Sequence, residues 1–325
     1  MEKQIKTIGV LTSGGDAPGM NAAVRAVVRT ALSKGIKVKG IERGYNGLLH
    51  NEMRDMDLRS VSEIIHRGGT VLYTARCLEF LTKEGQEQGA QCCRDNGIDA
   101  LVVIGGDGSF KGARALANLG IPCIGIPGTI DNDIACSEYT IGYDTAMNTA
   151  VEMVDKLRDT TQSHDRCSVV EVMGRHAGYI ALNVGIATGA IATLIPERPY
   201  DLERDILDRM SFTQKTGKKH FIIVKAEGVS GTAQDLANEI QARTGIDSRA
   251  TVLGHVQRGG APTLRDRVTA SQMGYQAVYL LERGIFNRVV AVSADQIVDY
   301  DINVALAMHK TIDTKMIDVA NTISI

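Results

Sequence analysis

The 325-residue chain lacks several features at once, and each absence removes a class of function. There is no basic excess: 36 Lys and Arg stand against 38 Asp and Glu, a formal net charge of −2, which argues against a general nucleic-acid binder. No apolar run approaches the ~20 residues of a membrane span. The charged start, Met1 to Lys6, shows no signal-peptide pattern, so a cytoplasmic protein without membrane attachment is expected. The cysteines at 77, 92, 93, 123, 136 and 167 form no C-x-x-C pair. Cys92 and Cys93 are adjacent within a helical pattern, so reduced thiols are expected rather than a disulfide framework or a zinc site. No low-complexity linker interrupts the chain, and composition alone reveals no lobe boundary.

What is present is an alternation of strand and helix patterns in a chain that is 44% hydrophobic, ordinary for a globular protein. Strands are predicted at Ile8 to Thr12, Val38 to Ile41, 100–104, 121–126, Ser168 to Val172, Phe221 to Lys225, Ala250 to Leu253 and Val289 to Val292. Helices are predicted at Met20 to Ser33, Thr82 to Arg94, Phe110 to Asn118 and Thr145 to Ser163. Ser60-Val-Ser-Glu63 has capping-box spacing and predicts a further short helix. Several strands are continuous aliphatic runs, as expected where helices cover both sheet faces. The fold class is α/β, doubly wound, with largely parallel sheets and ligands at the carboxyl ends of strands.

Two glycine-rich loops follow such strands. Gly105-Gly106-Asp107-Gly108-Ser109 comes after Ala100 to Ile104, and Pro127-Gly128-Thr129-Ile130-Asp131-Asn132-Asp133 comes after Ile121 to Ile126. Glycine lets the backbone approach a polyphosphate closely. A carboxylate in the same loop would repel that phosphate unless a divalent cation lay between them, so the pair of features asks for Mg²⁺ and a nucleotide. The second loop adds carboxylates able to take a proton from an acceptor hydroxyl. Together they read as a phosphoryl-transfer site. Residues 106–112 also fit a loose G-x-G-x-x-x-G dinucleotide pattern, but Asp107 sits inside the turn that would have to hold a pyrophosphate without metal. Arginines stand beside glycine at several strand ends: Arg76 after Gly68-Gly69, Arg175 after Met173-Gly174, and Arg258 in His255-Val-Gln-Arg258-Gly-Gly260. Their fork geometry suits phosphate oxygens, although a single arginine is more often a solvated charge.

Five runs, Thr12 to Asn21, Ile104 to Ser109, Pro127 to Asp133, Val172 to Arg175 and Leu253 to Gly260, resemble the bacterial-type ATP-dependent 6-phosphofructokinases in order and at family spacing. The resemblance implies that Gly15, Arg76, Cys77, Gly106, Asp107, Gly108 and Ser109 hold ATP, with Mg²⁺ at Asp107. It implies Asp131 as general base on the 1-hydroxyl of fructose 6-phosphate, with Thr129 and Ile130 beside it and Arg175 on the transferring phosphoryl group. Met173, Gly174 and Glu227 would line the sugar, and His255, Val256, Gln257 and Arg258 would form the loop gripping its 6-phosphate. Arg166 and Arg249 would reach a neighbouring subunit's site in a homotetramer. The implied lobes are 1–141 plus 257–310 for ATP and 142–256 plus 311–325 for the sugar phosphate.

The resemblance also bears on donor and regulation. Pyrophosphate-using relatives carry Asp at the position of Gly108 and Lys at that of Gly128, so glycine at both implies ATP as donor. Arg25, Arg29, Glu63, Arg158, Lys218, Lys219 and His220 match an effector site for ADP or phosphoenolpyruvate. Departures are Leu78 in place of a usual proline, Ile191 in place of a Glu that helps hold the effector's Mg²⁺, and Thr216 in place of a Lys. Muted regulation is the expectation. Two rival classes remain at this point: another kinase with a Gly-Gly-Asp-Gly loop, of the NAD or lipid kinase type, and a non-catalytic sugar-phosphate sensor.

Overall fold

The computed structural model describes residues 5–324. They form two compact units, each discontinuous in sequence. The first runs up to Thr145 and takes in Arg258–Lys310; the second comprises Ala146–Gln257 and the residues from Thr311 onward.

The first unit is built on a seven-stranded sheet. Its strands are β1 (Thr7–Ser13), β2 (Lys37–Ile41), β3 (Met53–Met56), β4 (Ala100–Gly105) and β5 (Cys123–Pro127). In the second unit lie β6 (Cys167–Val172), β7 (Ala192–Leu194), β8 (Phe221–Ala226) and β9 (Ser248–Val252). Two late strands, β10 (Arg288–Ser293) and β11 (Gln296–Asp301), return to the first sheet. The first sheet is ordered β11-β10-β5-β4-β1-β2-β3. Its five inner strands are parallel, and the outermost, β3 and β11, pair antiparallel with their neighbours. The aliphatic runs of β1 and β4 are buried almost throughout, consistent with helices on both faces. The edges are polar, Met-Arg-Asp-Met and Gln-Ile-Val-Asp-Tyr-Asp, which blunts them against pairing with another chain.

Around the sheets lie α1 (Met20–Ser33), α2 (Gly44–Leu49), α3 (Lys83–Asp95), α4 (Asp107–Asn118), α5 (Tyr143–Ser163), α6 (Tyr179–Thr188), α7 (Asp208–Lys215), α8 (Ala233–Thr244), α9 (Leu264–Glu282), α10 (Ile302–Ala307) and α11 (Thr314–Ile323). The first core gathers Leu11, Leu101 and Val103 from the sheet with Phe110 and Leu116 from α4. Tyr45 stacks on Phe80 beneath it, with ring centroids 4.1 Å apart. In the second unit four parallel strands run in the order β7-β8-β6-β9. There the buried Lys225 is matched across the ladder by Glu171 at 2.9 Å.

Three expectations change. The helix predicted from Phe110 begins at Asp107, so the glycine loop is itself the first turn of α4. Residues 60–63 form turns, not a helix. Asp57 Oδ1 accepts from the N–H groups of Arg59 (2.9 Å) and Ser60 (2.7 Å) and from the Ser60 hydroxyl, which diverts the expected cap. Glu63 then turns left-handed at φ +56°, which no right-handed helix accommodates. The short or polar strands β3, β7 and β11 have no counterpart in the sequence reading. All six cysteines are free, and burial pushes the Cys93 thiol up to about 12. Among the described residues no helix is long and apolar enough to cross a membrane.

Candidate active site

The strand order fixes where a ligand can bind in the first unit. The chain leaves β1 toward β2 and β3, then comes back to place β4 on the other side of β1. The crevice outside the carboxyl ends of β1 and β4 is therefore a topological switch point, the usual ligand site of open α/β sheets. Gly14-Gly15 follows β1, Gly106 to Ser109 follows β4, and Gly128 to Asp133 follows β5. Ser109 Oγ donates to Ser13 O (3.2 Å), and Gly128 N donates to Gly105 O (3.0 Å), so the three turns are stitched together. A side chain at Gly105 would bring its Cβ within 2.4 Å of both Ser109 Oγ and Ser13 O, so only glycine permits this approach. The segment before Arg76 and Cys77 is drawn to the same place. Thr74 Oγ1 donates to Gly14 O and Thr12 Oγ1 to Tyr73 O, each at 2.7 Å.

Gly106 caps α4 and Asp107 is its first residue. The amides of a helix start, with the dipole behind them, favour phosphate. Nothing lies within 4 Å of a Cβ built at Gly106 or Gly108, so this face of the turn is open. Asp107 pairs with Lys111 one turn on, at 2.6 Å, with the two side chains 43% and 60% exposed. Among the described residues no group of three or more His, Cys, Asp or Glu could hold a metal ion. A Mg²⁺ ion here would accordingly take one ligand from Asp107 and the rest from nucleotide phosphates and water. That is the habit of Mg²⁺ at nucleotide sites, so the donor set fits.

The β5 turn buries its chemistry. Asp131 is 6% exposed, its N–H donates to Thr129 Oγ1 (3.2 Å), and Ile130 behind it is fully buried. Thr140 Oγ1 donates to Thr129 O at 2.7 Å. Asn132 follows at φ +52°, a backbone state that non-glycine residues adopt only when held. Two charged groups hold this loop. Asp266 is fully buried and accepts from Tyr139 Oη (2.5 Å), Gly142 N (2.7 Å), Thr145 N (2.9 Å) and Thr145 Oγ1. Burial raises its carboxyl above the ordinary value, and these donors oppose that rise. Lys310 Nζ donates to Asn132 O (2.8 Å) and Ser137 O (2.7 Å). Arg258 Nη1 donates to Asp16 O (3.0 Å) and lies directly over Gly15.

In the second unit the parallel strands β6, β8 and β9 end together. The turn Met173-Gly174-Arg175 leaves β6 with Gly174 at φ +146° and Arg175 at +58°. Glu227, just past β8, accepts through Oε1 from Gly174 N (3.0 Å) and Arg175 N (2.6 Å). Gln257, fully buried, accepts through Oε1 from Met173 N at 2.8 Å. Its Nε2 has no hydrogen-bond partner among the described residues. His255 and Val256 lie in the 3₁₀ turn Gly254–Arg258, with Val256 exposed. Asp247 bridges the two arginines of this face, meeting Arg166 Nε at 2.6 Å and Arg249 Nε at 3.1 Å.

The expected effector residues fall into two basic clusters, one in each unit. On α1, Arg25 and Arg29 share a face. Burial lowers Arg25, the Arg29 charge lowers it further, and Glu63 opposes both. Arg29 Nε is buried with no hydrogen-bond partner among the described residues. In the second unit Arg158 donates to Thr188 O. Lys218 is lowered by burial and then by Arg158, and His220 by burial, Lys218 and Arg158. Lys219 is exposed, as is Thr216, while Ile191 is fully buried. Asp266, Lys310, Asp247 and Lys111 are the site-supporting residues that sequence reasoning misses; of these only Lys111 has a spacing, i,i+4 from Asp107, that could have found it.

Comparison with known proteins gives the family. The phosphofructokinase family model matches residues 7–281. A chain from Clostridium botulinum (strain Loch Maree / Type A3), named ATP-dependent 6-phosphofructokinase, is 54% identical over 320 residues, 98% of this chain and 100% of that one. Among solved structures, phosphofructokinase from Saccharomyces cerevisiae superposes with a TM-score of 0.89 at 35% identity, over 98% of this chain. This chain spans 48% of that longer one. A pyrophosphate-dependent phosphofructokinase from Marinobacter aquaeolei superposes at 0.86 with 25% identity, covering 96% of this chain and 86% of the other. A family match along most of the chain and a relative matched end to end leave one assignment: this chain belongs to the phosphofructokinase family.

Proposed function

We propose that the protein transfers the γ-phosphoryl group of ATP to the 1-hydroxyl of fructose 6-phosphate, giving fructose 1,6-bisphosphate and ADP, the committed step of glycolysis in the cytoplasm. The observation that carries the reading is the meeting, at one switch point, of an open helix start bearing Asp107 with a buried, doubly anchored Asp131. Phosphoryl transfer asks a protein mainly for positioning and charge neutralisation. Gly15, Arg76, Cys77 and Gly106 to Ser109 hold the nucleotide, and Asp107 is the protein ligand to Mg²⁺, which neutralises the phosphate oxygens when bound. The Asp107–Lys111 pair is exposed and worth only ~0–1 kcal/mol, so Asp107 can give up Lys111 for a metal ligand role at little cost. Asp131 takes the proton of the 1-hydroxyl, with Thr129 and Ile130 shaping its loop. Arg175, delivered by its left-handed turn, meets the transferring group. Met173, Gly174 and Glu227 face the sugar, and His255, Val256, Gln257 and Arg258 form the loop for its 6-phosphate. Arg166 and Arg249 serve a neighbouring subunit in a homotetramer. Membership in the phosphofructokinase family leaves the NAD- or lipid-kinase and sensor readings unfavoured.

The fold does not choose the donor, since the Marinobacter relative named above is pyrophosphate-dependent. The glycines do. A carboxylate at position 108 would project into the open space at the start of α4 and repel a nucleotide phosphate bound there; glycine leaves that space free. A Cβ at position 128 would press on Ile104 and Met20 side chains at 3.1 and 3.2 Å, so a lysine stem there would require those neighbours to give way by a few tenths of an ångström. The test is turnover of fructose 6-phosphate with each donor. ATP should support fructose 1,6-bisphosphate formation and pyrophosphate should not; the reverse pattern would overturn the reading. The two basic clusters are the candidate sites for ADP or phosphoenolpyruvate. With a buried isoleucine at 191 and no lysine at 216, activation and inhibition are expected to be muted. A strong sigmoidal shift at low fructose 6-phosphate with either effector would refute that.

A further inference from the structure

The loop from Gly128 to Thr145 has two anchors of opposite charge, and they do different jobs. Asp266 gathers the distal half, Tyr139 to Thr145, through four hydrogen bonds. Nearer Asp131 one short bond, from Thr140 Oγ1 to Thr129 O at 2.7 Å, stands among longer ones. Asp131 N reaches Thr129 Oγ1 at 3.2 Å, Asn132 Nδ2 reaches Glu138 O at 3.2 Å, and Thr140 Oγ1 reaches Asn132 Oδ1 at 3.4 Å. Against these stand the short, charge-assisted bonds of Lys310 to the carbonyls of Asn132 and Ser137, 2.8 and 2.7 Å. Ionised donors make the stronger class of hydrogen bond. The Asn132 carbonyl belongs to the left-handed residue directly after Asp131, so holding it restricts the backbone that carries Asp131. Lys310 reaches it from 178 positions away in sequence.

We infer that Lys310 is a positioning residue for phosphoryl transfer, holding the Asn132 peptide so that the Asp131 carboxylate stays aimed at the acceptor hydroxyl. The inference rests on Asp131 being the base. The ammonium is half-buried: burial lowers it to about 8, while Asp133, Cys136 and Glu138 draw it upward, so it is charged at neutral pH. A half-buried lysine whose only purpose was to fill space would be replaced by an apolar side chain without touching the chemistry. A small shift of a reacting group can alone cost ~10²-fold in rate, which sets the scale of the expected effect.

The experiment measures kcat and both KM values for K310M, K310R, D131S and the double variant D131S/K310M, with thermal unfolding of each. K310M should lose ~10–100-fold in kcat while its KM values for ATP and fructose 6-phosphate stay within about threefold. K310R, which can still donate to both carbonyls, should recover most of that loss. On the D131S background K310M should cost less than about threefold more, because a residue acting through Asp131 has nothing left to position. Full additivity in the double variant, or wild-type kcat in K310M, overturns the inference. Losses in kcat and both KM values together, unrescued by arginine, assign Lys310 to packing and also overturn it. If D131S itself turns over near the wild-type rate, the reading of Asp131 as base has failed, and the inference falls with it. Should K310M not fold, K310R and K310Q carry the comparison: glutamine keeps a donor without the charge and should fall below arginine in kcat alone.

Discussion

In the first unit the strand-end carboxylates Asp107 and Asp131 are the ones proposed to serve the ligand; in the second, strand-end carboxylates brace the backbone and its arginines. Asp107 stands at an open helix start with only an exposed lysine across from it, and Asp131 is buried in a loop whose anchoring falls to other residues, Asp266 and Lys310. Glu227, just past β8 in the second unit, accepts through one oxygen from two backbone N–H groups of the Met173–Arg175 turn. Asp247 likewise divides its oxygens between Arg166 and Arg249. Both units follow the same α/β logic of turns at parallel strand ends. On the proposed reading one places acids for metal and proton; the other uses acids to hold arginines and amides, the groups that recognise phosphate.

That contrast can be broken or sharpened by substitution, most severely at Asp131. D131S should cut kcat by ~10²–10⁴-fold with far smaller changes in either KM, since a general base is felt mainly in the transition state. An equal loss from D133S with D131S near wild type would move the base two residues along. R258A should raise the KM for fructose 6-phosphate at least ~10-fold, the worth of one charge-assisted phosphate contact. Because Arg258 lies over Gly15 in the first unit, this variant has a sharp alternative: a large change in KM for ATP instead would give the arginine to the nucleotide. E227Q removes the charge but keeps an accepting oxygen for Gly174 and Arg175, so a rise of ~5-fold in the sugar-phosphate KM with ATP unaffected is expected. A collapse of kcat to the level of D131S would show that the second unit also carries a chemical acid. K111M should do least. It frees Asp107 from an exposed pair worth ~0–1 kcal/mol and should lower the half-saturating Mg²⁺ concentration by no more than ~5-fold. A raised Mg²⁺ requirement would mean that Lys111 helps to hold the phosphates.

The legible part of this molecule is the part written in contiguous residues. The aliphatic runs before Gly105 and Pro127 reveal buried parallel strands, and glycine next to aspartate at their ends marks the turns where the sheet order makes a crevice. The start of α4 was obscured because Gly106-Asp107-Gly108 has poor helix propensity, yet a first turn tolerates glycine and favours an acid near the dipole. Ser60 to Glu63 has the spacing of a cap, but Asp57 captured the hydroxyl first. The edge strands β3 and β11 are polar and lack the hydrophobic signature of the inner strands. Lys310, Asp266 and Asp247 could not be read at all. Each is a single charged residue, and for Lys310 and Asp266 the partners lie more than a hundred positions away, so only the closed fold brings them to the site.

The late return of the chain has a consequence for biosynthesis. Strand β10, which flanks β5, and both Asp266 and Lys310 lie beyond Gln257, after nearly all of the second unit has been made. The four strands of the second sheet can therefore pair on an emerging chain while β5 still presents an open, apolar edge beside the unanchored Asp131 loop. Such an edge is a template for wrong pairing between nascent chains. The vulnerable moment in this protein's life falls between the appearance of Pro127 and that of Arg288, and chains cut short after Val252 but before Arg288 should aggregate through the first sheet while the second is already protected from exchange.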